Sequence, residues 1–263
     1  MPEISASLVK ELREQTGAGM MDAKRALVDA NGDAEAAAQA LREKGLAKAA
    51  ARSDRDSSEG AIGLAVVEGR AALVHLRCET DFSAKSDQFV ALADELASAV
   101  LEAGEGAVEA NAAAIDEIRL SIKENVEVGE VTLIEATDGN LIDTYVHRQD
   151  GRGVNGVIIE ATGVDQETLH QVALHIAFAK PTALSRDEIP SAIVDQERTA
   201  LLDITKAEGK PEQAWDKIVE GRLGAWFSEK VLLEQGLHGE KTSVEQTLGE
   251  GRIVRFVQAH IGD

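Results

Sequence analysis

Twice along the chain the hydrophobic pattern changes period in the same order, which excludes a purely helical or purely β architecture. AIGLAVV and AALVHLRCE (residues 61–67 and 71–79) are β-type runs flanking Glu68-Gly69-Arg70, a glycine-bearing connection of hairpin type. The polar stretch CETDFSAKS follows. After it, Phe89, Leu92, Ala93, Leu96 and Val100 recur at the spacing of one helical face, with Asp87 placed to cap the helix. A second helix carries Ile115, Ile118 and Ile122. The order then recurs: VTLIEAT and LIDTYVH (131–137 and 141–147) flank Asp138-Gly139-Asn140, predicting a second hairpin. GVNGVIIEATG adds a strand, and Asp165 opens a helix with Leu169, Val172, Ala173 and Ile176 on one face. The repeat is architectural and is not visible residue by residue.

The flanking regions are helical. Leu8, Val9 and Leu12 form one face after the cap Ser5, and TGAGM interrupts the helix. DAKRALVDA is a second helix, ended by Asn31-Gly32. A third begins at Asp33 and is expected to stop at Gly45. Residues 47–58 have linker composition, with their first half open to helix. From Pro190 to about Lys230, two helices joined through Gly209-Lys210-Pro211 predict an antiparallel helical hairpin, with Pro211 at the first position of the second helix. GRIVRFVQAHI then returns as a strand to the second sheet, which makes the helical hairpin an insertion. The fold class is α+β: a three-helix unit (1–46), a linker (47–58), an N-terminal sheet–helix subdomain (59–127) and a C-terminal one (128–263) carrying the insertion at about 190–230.

Lys and Arg number 27 against 47 Asp and Glu, a net charge of −20, which opposes direct nucleic-acid binding and suits a basic protein partner. The single cysteine, Cys78, cannot form an internal disulfide. The N-terminus lacks an apolar run of signal-peptide length and no stretch is long enough to span a bilayer, so the chain reads as soluble and cytoplasmic, without a membrane partner. No catalytic constellation assembles. His170 and His175 are five residues apart and do not share a helical face as a zinc pair would. Cys78 reads as a small buried strand residue. GRGVNG (151–156) joins strands and is read as a turn, not a phosphate cradle, and no phosphate-loop or nucleophile-elbow motif is present. A binding protein is the better class, with no metal and no cofactor.

One polar connection then stands out. Phe82 is one of only five Phe, and it sits beside Asp81. It is either tucked under the loop as a satellite of the core or presented to a partner.

SLVKELREQTGAGMMDAKRALVDANGD, LREKGLAKAA, CETDFSAK, HIAFAKP, GKPEQAWDKIVEGRL and LLEQ, in that order, resemble the bacterial translation elongation factor Ts family over essentially the whole chain. The resemblance implies a non-enzymatic guanine-nucleotide exchange factor for elongation factor Tu, with a UBA-like N-terminal unit that docks on the G domain of that GTPase. It further implies that Thr80, Asp81, Phe82 and Ser83 enter the partner near its Mg2+ and nucleotide, Phe82 as an apolar wedge and Asp81 as a disturber of the polar network around the ion. Arg52, Ile122, Lys123 and His147 resemble further family contacts. Leu8, Val9, Leu12, Met20 and Met21 resemble the docking strip of the N-terminal unit, although Leu8 and Leu12 suit that unit's own core. Ser83 departs from the Val common after the motif, so the wedge is expected to pack less apolar surface. LLEQGLHG lacks the proline-phenylalanine common after LEQ. The chain ends where longer members continue into a C-terminal helical module, whose contact is expected to be absent or replaced.

Overall fold

The computed structural model describes residues 4–137 and 139–262. The first three helices are α1 (Ala6–Thr16), α2 (Met20–Asp29) and α3 (Ala34–Ala50). Their caps follow the sequence. Ser5 Oγ accepts from Leu8 N, and Asp33 Oδ1 accepts from Glu35 N and Ala36 N, satisfying backbone donors that a helix start leaves unpaired. Val9, Leu12, Ala23, Leu27 and Ala37 form the core of this unit.

Helix α3 does not stop at Gly45; it runs on to Ala50 through much of the expected linker. The missing side chain at Gly45 admits a neighbouring helix, because a Cβ there would lie 2.4 Å from Leu120 Cδ2. Ala47, Lys48, Ala49 and Ala50 are strong helix formers and carry the helix onward.

Two antiparallel sheets follow. The first has the order β1 (Glu59–Val67), β2 (Arg70–Cys78), β3 (Glu127–Glu135). Between β2 and β3 lie α4 (Asp81–Ala84), α5 (Asp87–Ala103), α6 (Ala107–Ala110) and α7 (Ala112–Ile122). The second sheet has the order β4 (Leu141–Gln149), β5 (Arg152–Thr162), β6 (Arg252–His260). Between β5 and β6 lie α8 (Gln166–Ala179), α9 (Ser191–Ala207), α10 (Trp215–Lys230) and α11 (Val244–Leu248). Asp165 caps α8, accepting from Thr168 N at 2.7 Å. Asp87 is not the cap of α5 but its first residue; Ser86 holds the cap position.

Helices α9 and α10 form the expected inserted hairpin. Its entry and exit are tied where Leu232 N donates to the Ala183 carbonyl. Pro211 precedes a 3-10 turn, Glu212–Ala214, that leads into α10.

One expected pairing fails. β3 and β4 do not pair with each other: β3 joins β2, and β4 joins β5 through an Asp150-Gly151 turn with both residues at positive φ. The segment after β3 is therefore a crossover between sheets, and Asp138, named in the expected turn, lies outside the described residues. Glu160 on β5 explains the crossing. Its fully buried carboxylate accepts from Thr137 N (2.8 Å), Asn140 Nδ2 (2.7 Å) and Arg255 Nε (2.7 Å), so the chain after β3 is bound to the second sheet. Burial alone would raise the pKa of Glu160. The bonds from Asn140, Thr137 and Arg255 outweigh it and hold the carboxyl below its ordinary value. The first sheet consequently includes residues beyond the 127/128 division read from the sequence.

Strand alternation builds four layers. On one face of the first sheet Ala61, Ala72, Val74, Leu76 and Cys78 pack on α5 and α7. On its other face Ile62, Ala71, Leu73 and Ile134 meet Ile158 and Ala259 of the second sheet. Val157, Ile159 and Ala161 then face α8 and α11. This order brings the start of β1, the ends of β2, β4 and β6, the start of α5, and the ends of α7 and α8 to one end of the sandwich. Arg152 Nη1 joins the sheets there, donating to the Gly60 carbonyl at 2.6 Å.

Candidate functional site

The polar stretch after β2 is a single helical turn at that end. Thr80 caps α4, its Oγ1 accepting from Ser83 N at 3.3 Å. Ser83 and Ala84 point inward and are buried. Phe82 points outward and is 86% exposed. The satellite-core alternative is thereby excluded, since the ring contributes almost nothing to folding by burial.

The turn is held from behind by a residue the sequence did not single out. Glu124 Oε1 accepts from Thr80 Oγ1 and Ser83 Oγ, both at 2.7 Å, and Oε2 accepts from Glu79 N and Thr80 N, both at 3.1 Å. A reciprocal bond runs from Asn125 N to Glu79 Oε1 at 2.6 Å. The Asn125 amide also donates to the carbonyls of Ser53 and Arg55, and Arg55 pairs with Glu79. In sequence Glu124 looks like any surface acid, and only the fold brings it to the turn. Ser83 does not face outward as part of a wedge; its hydroxyl belongs to this network.

In front of the turn, Lys85 Nζ lies 2.8 Å from Asp81 Oδ2 and 3.0 Å from Asp150 Oδ2 of the β4–β5 turn. The hydrogen bond and charge of Lys85 hold the Asp81 carboxyl below its usual range, and Asp81 and Asp150 raise the Lys85 ammonium. The turn therefore presents an apolar ring next to a carboxylate that is ionised at neutral pH.

The family model for elongation factor Ts matches residues 79–263, beginning at this turn. The elongation factor Ts of Cutibacterium acnes is 43% identical, over 99% of each chain. That of Dinoroseobacter shibae is 39% identical, over 99% of this chain and 93% of its own. That of Deinococcus radiodurans is 38% identical, over 97% and 98%. The chain belongs to the elongation factor Ts family.

As a member of the elongation factor Ts family it is a translation elongation factor. The other residues singled out in its sequence divide into two groups. Arg52 lies in the turn after α3, beside the carbonyls taken by Asn125. Ile122 is half-buried against the first core, and Lys123 ends α7 in a left-handed conformation (φ 60°) that throws Glu124 off the helix toward β2. His147 is exposed near the end of β4. These residues and Thr80–Ser83 share one end of the sandwich. The second group belongs to the N-terminal unit, and part of it needs correction. Val9 and Leu12 are buried in that unit's own core and Leu8 packs partly against it, so they offer no open docking strip; Met20 and Met21 are exposed. Three of the five buried residues in this unit's core are large, Val9, Leu12 and Leu27, and the other two are Ala23 and Ala37, so Val9 and Leu12 are needed for its core.

Phe178, in HIAFAKP, was not distinguished in the sequence from the core side of its helix. It is 83% exposed at the C-terminus of α8, at the same end as Phe82. His175 is buried. Its Nε2 bonds Gln235 Oε1 (2.9 Å) and its Nδ1 accepts from His238 N (3.1 Å), so both ring nitrogens are used inside the protein. Cys78 is buried, and burial together with the Glu124 carboxylate pushes its thiol up to about 12, which makes it unsuited to nucleophilic work. Among the described residues no three His, Cys, Asp or Glu side chains gather as metal ligands, and no helix is long and apolar enough to cross a membrane.

Proposed function

We propose that this chain is a cytoplasmic guanine-nucleotide exchange factor that binds elongation factor Tu in its GDP-bound form and promotes GDP release, so that GTP can rebind. The observation that carries this reading is Phe82: a large apolar side chain left 86% exposed on a turn whose hydroxyls and backbone are bonded into the protein behind it. Exposed aromatics on rigid supports are the typical anchors of protein interfaces. Phe82 acts as a wedge between elements of the GTPase, and Asp81 exchanges Lys85 for groups around the partner's Mg2+. That ion neutralises nucleotide phosphate charge, so disturbing it weakens GDP binding without any bond chemistry or any cofactor on this chain.

Ser83 supports the turn from inside. Arg52, Ile122, Lys123 and His147 extend the contact across the same end of the sandwich, and the UBA-like N-terminal unit docks separately through Met20 and Met21. The charge of −20 agrees with a protein partner and not with direct contact to nucleic acid. The coupling is reciprocal: factor and nucleotide each weaken the other's binding to the GTPase, about 1.4 kcal/mol for each tenfold change in affinity.

Stopped-flow release of a fluorescent GDP analogue from purified elongation factor Tu tests the reading. Release accelerates with factor concentration and saturates. Binding with an unchanged release rate would identify a holding partner instead and overturn the proposal.

A further inference from the structure

The exposed turn cannot hold its own shape. α4 is four residues long, and one helical turn fixes many backbone angles for very few internal hydrogen bonds. Phe82 faces solvent, so its burial gives no ordering force, and the Lys85 pair in front is solvent-screened. Ala84 anchors the end of the turn in the first core, and what fixes Thr80 and Ser83 comes from more than forty residues away in sequence. The Glu124 carboxylate has about four acceptor positions. All four are filled from this one segment: two hydroxyls on Oε1 and two backbone N–H groups on Oε2, at 2.7–3.1 Å. Lys123 in its left-handed conformation aims Glu124 there, and the Asn125 N to Glu79 bond locks the two segments from the other side.

We propose that Glu124 is the positioning residue that pre-organises the Thr80–Ser83 turn for the partner, an inference that rests on the assignment of that turn to elongation factor Tu. Glu124 acts through Thr80 and Ser83 and touches neither partner nor nucleotide. Its contribution is to remove, before encounter, the ordering cost that a mobile turn would add to binding.

The donor set makes a specific prediction about substitution. Two of the four donors are backbone N–H groups, which can only donate, and two are hydroxyls, which can donate or accept. Glu124→Gln can turn its carbonyl to the backbone pair and its amide N–H2 to the hydroxyls, so the bonding pattern survives without the charge. Glu124→Ala leaves all four donors without this acceptor.

The test uses the full-length chain as wild type, E124Q, E124A and F82A. GDP release from elongation factor Tu is measured across factor concentration, and hydrogen exchange is followed in the peptide covering residues 79–86. E124A is expected to raise the half-saturating concentration about tenfold, with the saturated rate unchanged and protection lost in that peptide, because charge-assisted bonds of this kind exceed the roughly 1.4 kcal/mol that a tenfold change represents. E124Q is expected to stay within about threefold of wild type, keeping both protection and affinity. If E124A folds poorly, S83A, which removes one hydroxyl donor and leaves Glu124 in place, is expected to show a smaller shift in the same half-saturating concentration. Wild-type half-saturation in E124A or, where that variant cannot be assayed, in S83A overturns the proposal, as does E124Q behaving like E124A. If F82A exchanges normally, it is the assignment of the turn that fails, whatever the Glu124 variants do.

Discussion

Gly63→Ala is a one-methyl change that the four-layer packing forbids. Gly63 lies in β1 on the face covered by α5. A Cβ built there would sit 2.0 Å from the carbonyl oxygen of Ala93, 2.4 Å from its carbon and 2.9 Å from Asp94 N. All three are helix backbone, so no side-chain rotation relieves the clash. An ordinary contact begins near 3.4 Å, and the difference from 2.0 Å requires α5 to retreat about 1.4 Å. That helix buries Phe89, Leu92, Ala93, Leu96, Ala97 and Val100, so lifting it opens gaps through the first core. Overpacking of this kind costs about 1–3 kcal/mol, with the upper end apt for a backbone obstacle. Replacing a strand glycine returns roughly 0.5–1 kcal/mol of chain entropy. A net loss of about 2 kcal/mol lowers the unfolding midpoint of a chain this size by about 4–8 °C. Circular dichroism during heating measures it. A midpoint equal to wild type would refute the close approach of β1 and α5. Because α5 begins three residues after the end of α4 and two after Lys85, the displacement is also expected to loosen the Phe82 turn and slow exchange.

Two further outcomes follow from buried groups. His175 is neutral in the folded protein, since its Nδ1 accepts a backbone N–H and burial keeps its pKa below the ordinary value. Its stability contribution is complete above the unfolded pKa of about 6.5 and is lost as pH falls toward the folded value, with a slope of at most about 1.4 kcal/mol per pH unit. Urea unfolding at a series of pH values should show a steeper decline below neutrality in wild type than in H175Q, and parallel curves would contradict this. Cys78 should be silent to a thiol reagent at pH 8 in the native state and react fully once unfolded, because burial holds its thiol pKa near 12. Rapid native labelling would show that the end of β2 is open.

Local signals were legible in the sequence wherever one short segment decides its own conformation. Ser5, Asp33 and Asp165 cap helices where their side chains predict, and the Phe89–Val100 and Leu169–Ile176 faces are buried as their spacing requires. Misreadings arose where a distant residue decides. A turn sequence between two β-type runs looks the same whether they pair or part, and the choice here belongs to Glu160, twenty residues beyond Asn140. Gly45 reads as a helix stop until Leu120 is placed against it. The apolar stripe of α1 is compatible with docking or with a core, and the small three-helix unit uses Val9 and Leu12 for its core. At the candidate site, Phe82 beside Asp81 stood out by residue type, and Thr80 came with the family resemblance. Glu124 did not, because its neighbours in sequence are unrelated to the donors it meets in space.

The most direct test of the exchange assignment is GDP release with Asp81→Ala/Phe82→Ala. Both side chains are exposed, so the double variant should keep the wild-type dichroism spectrum and melting temperature. Loss of an aromatic anchor of about 2 kcal/mol predicts exchange efficiency reduced about thirtyfold on elongation factor Tu. Wild-type acceleration of GDP release by a well-folded double variant would contradict the assignment of this turn.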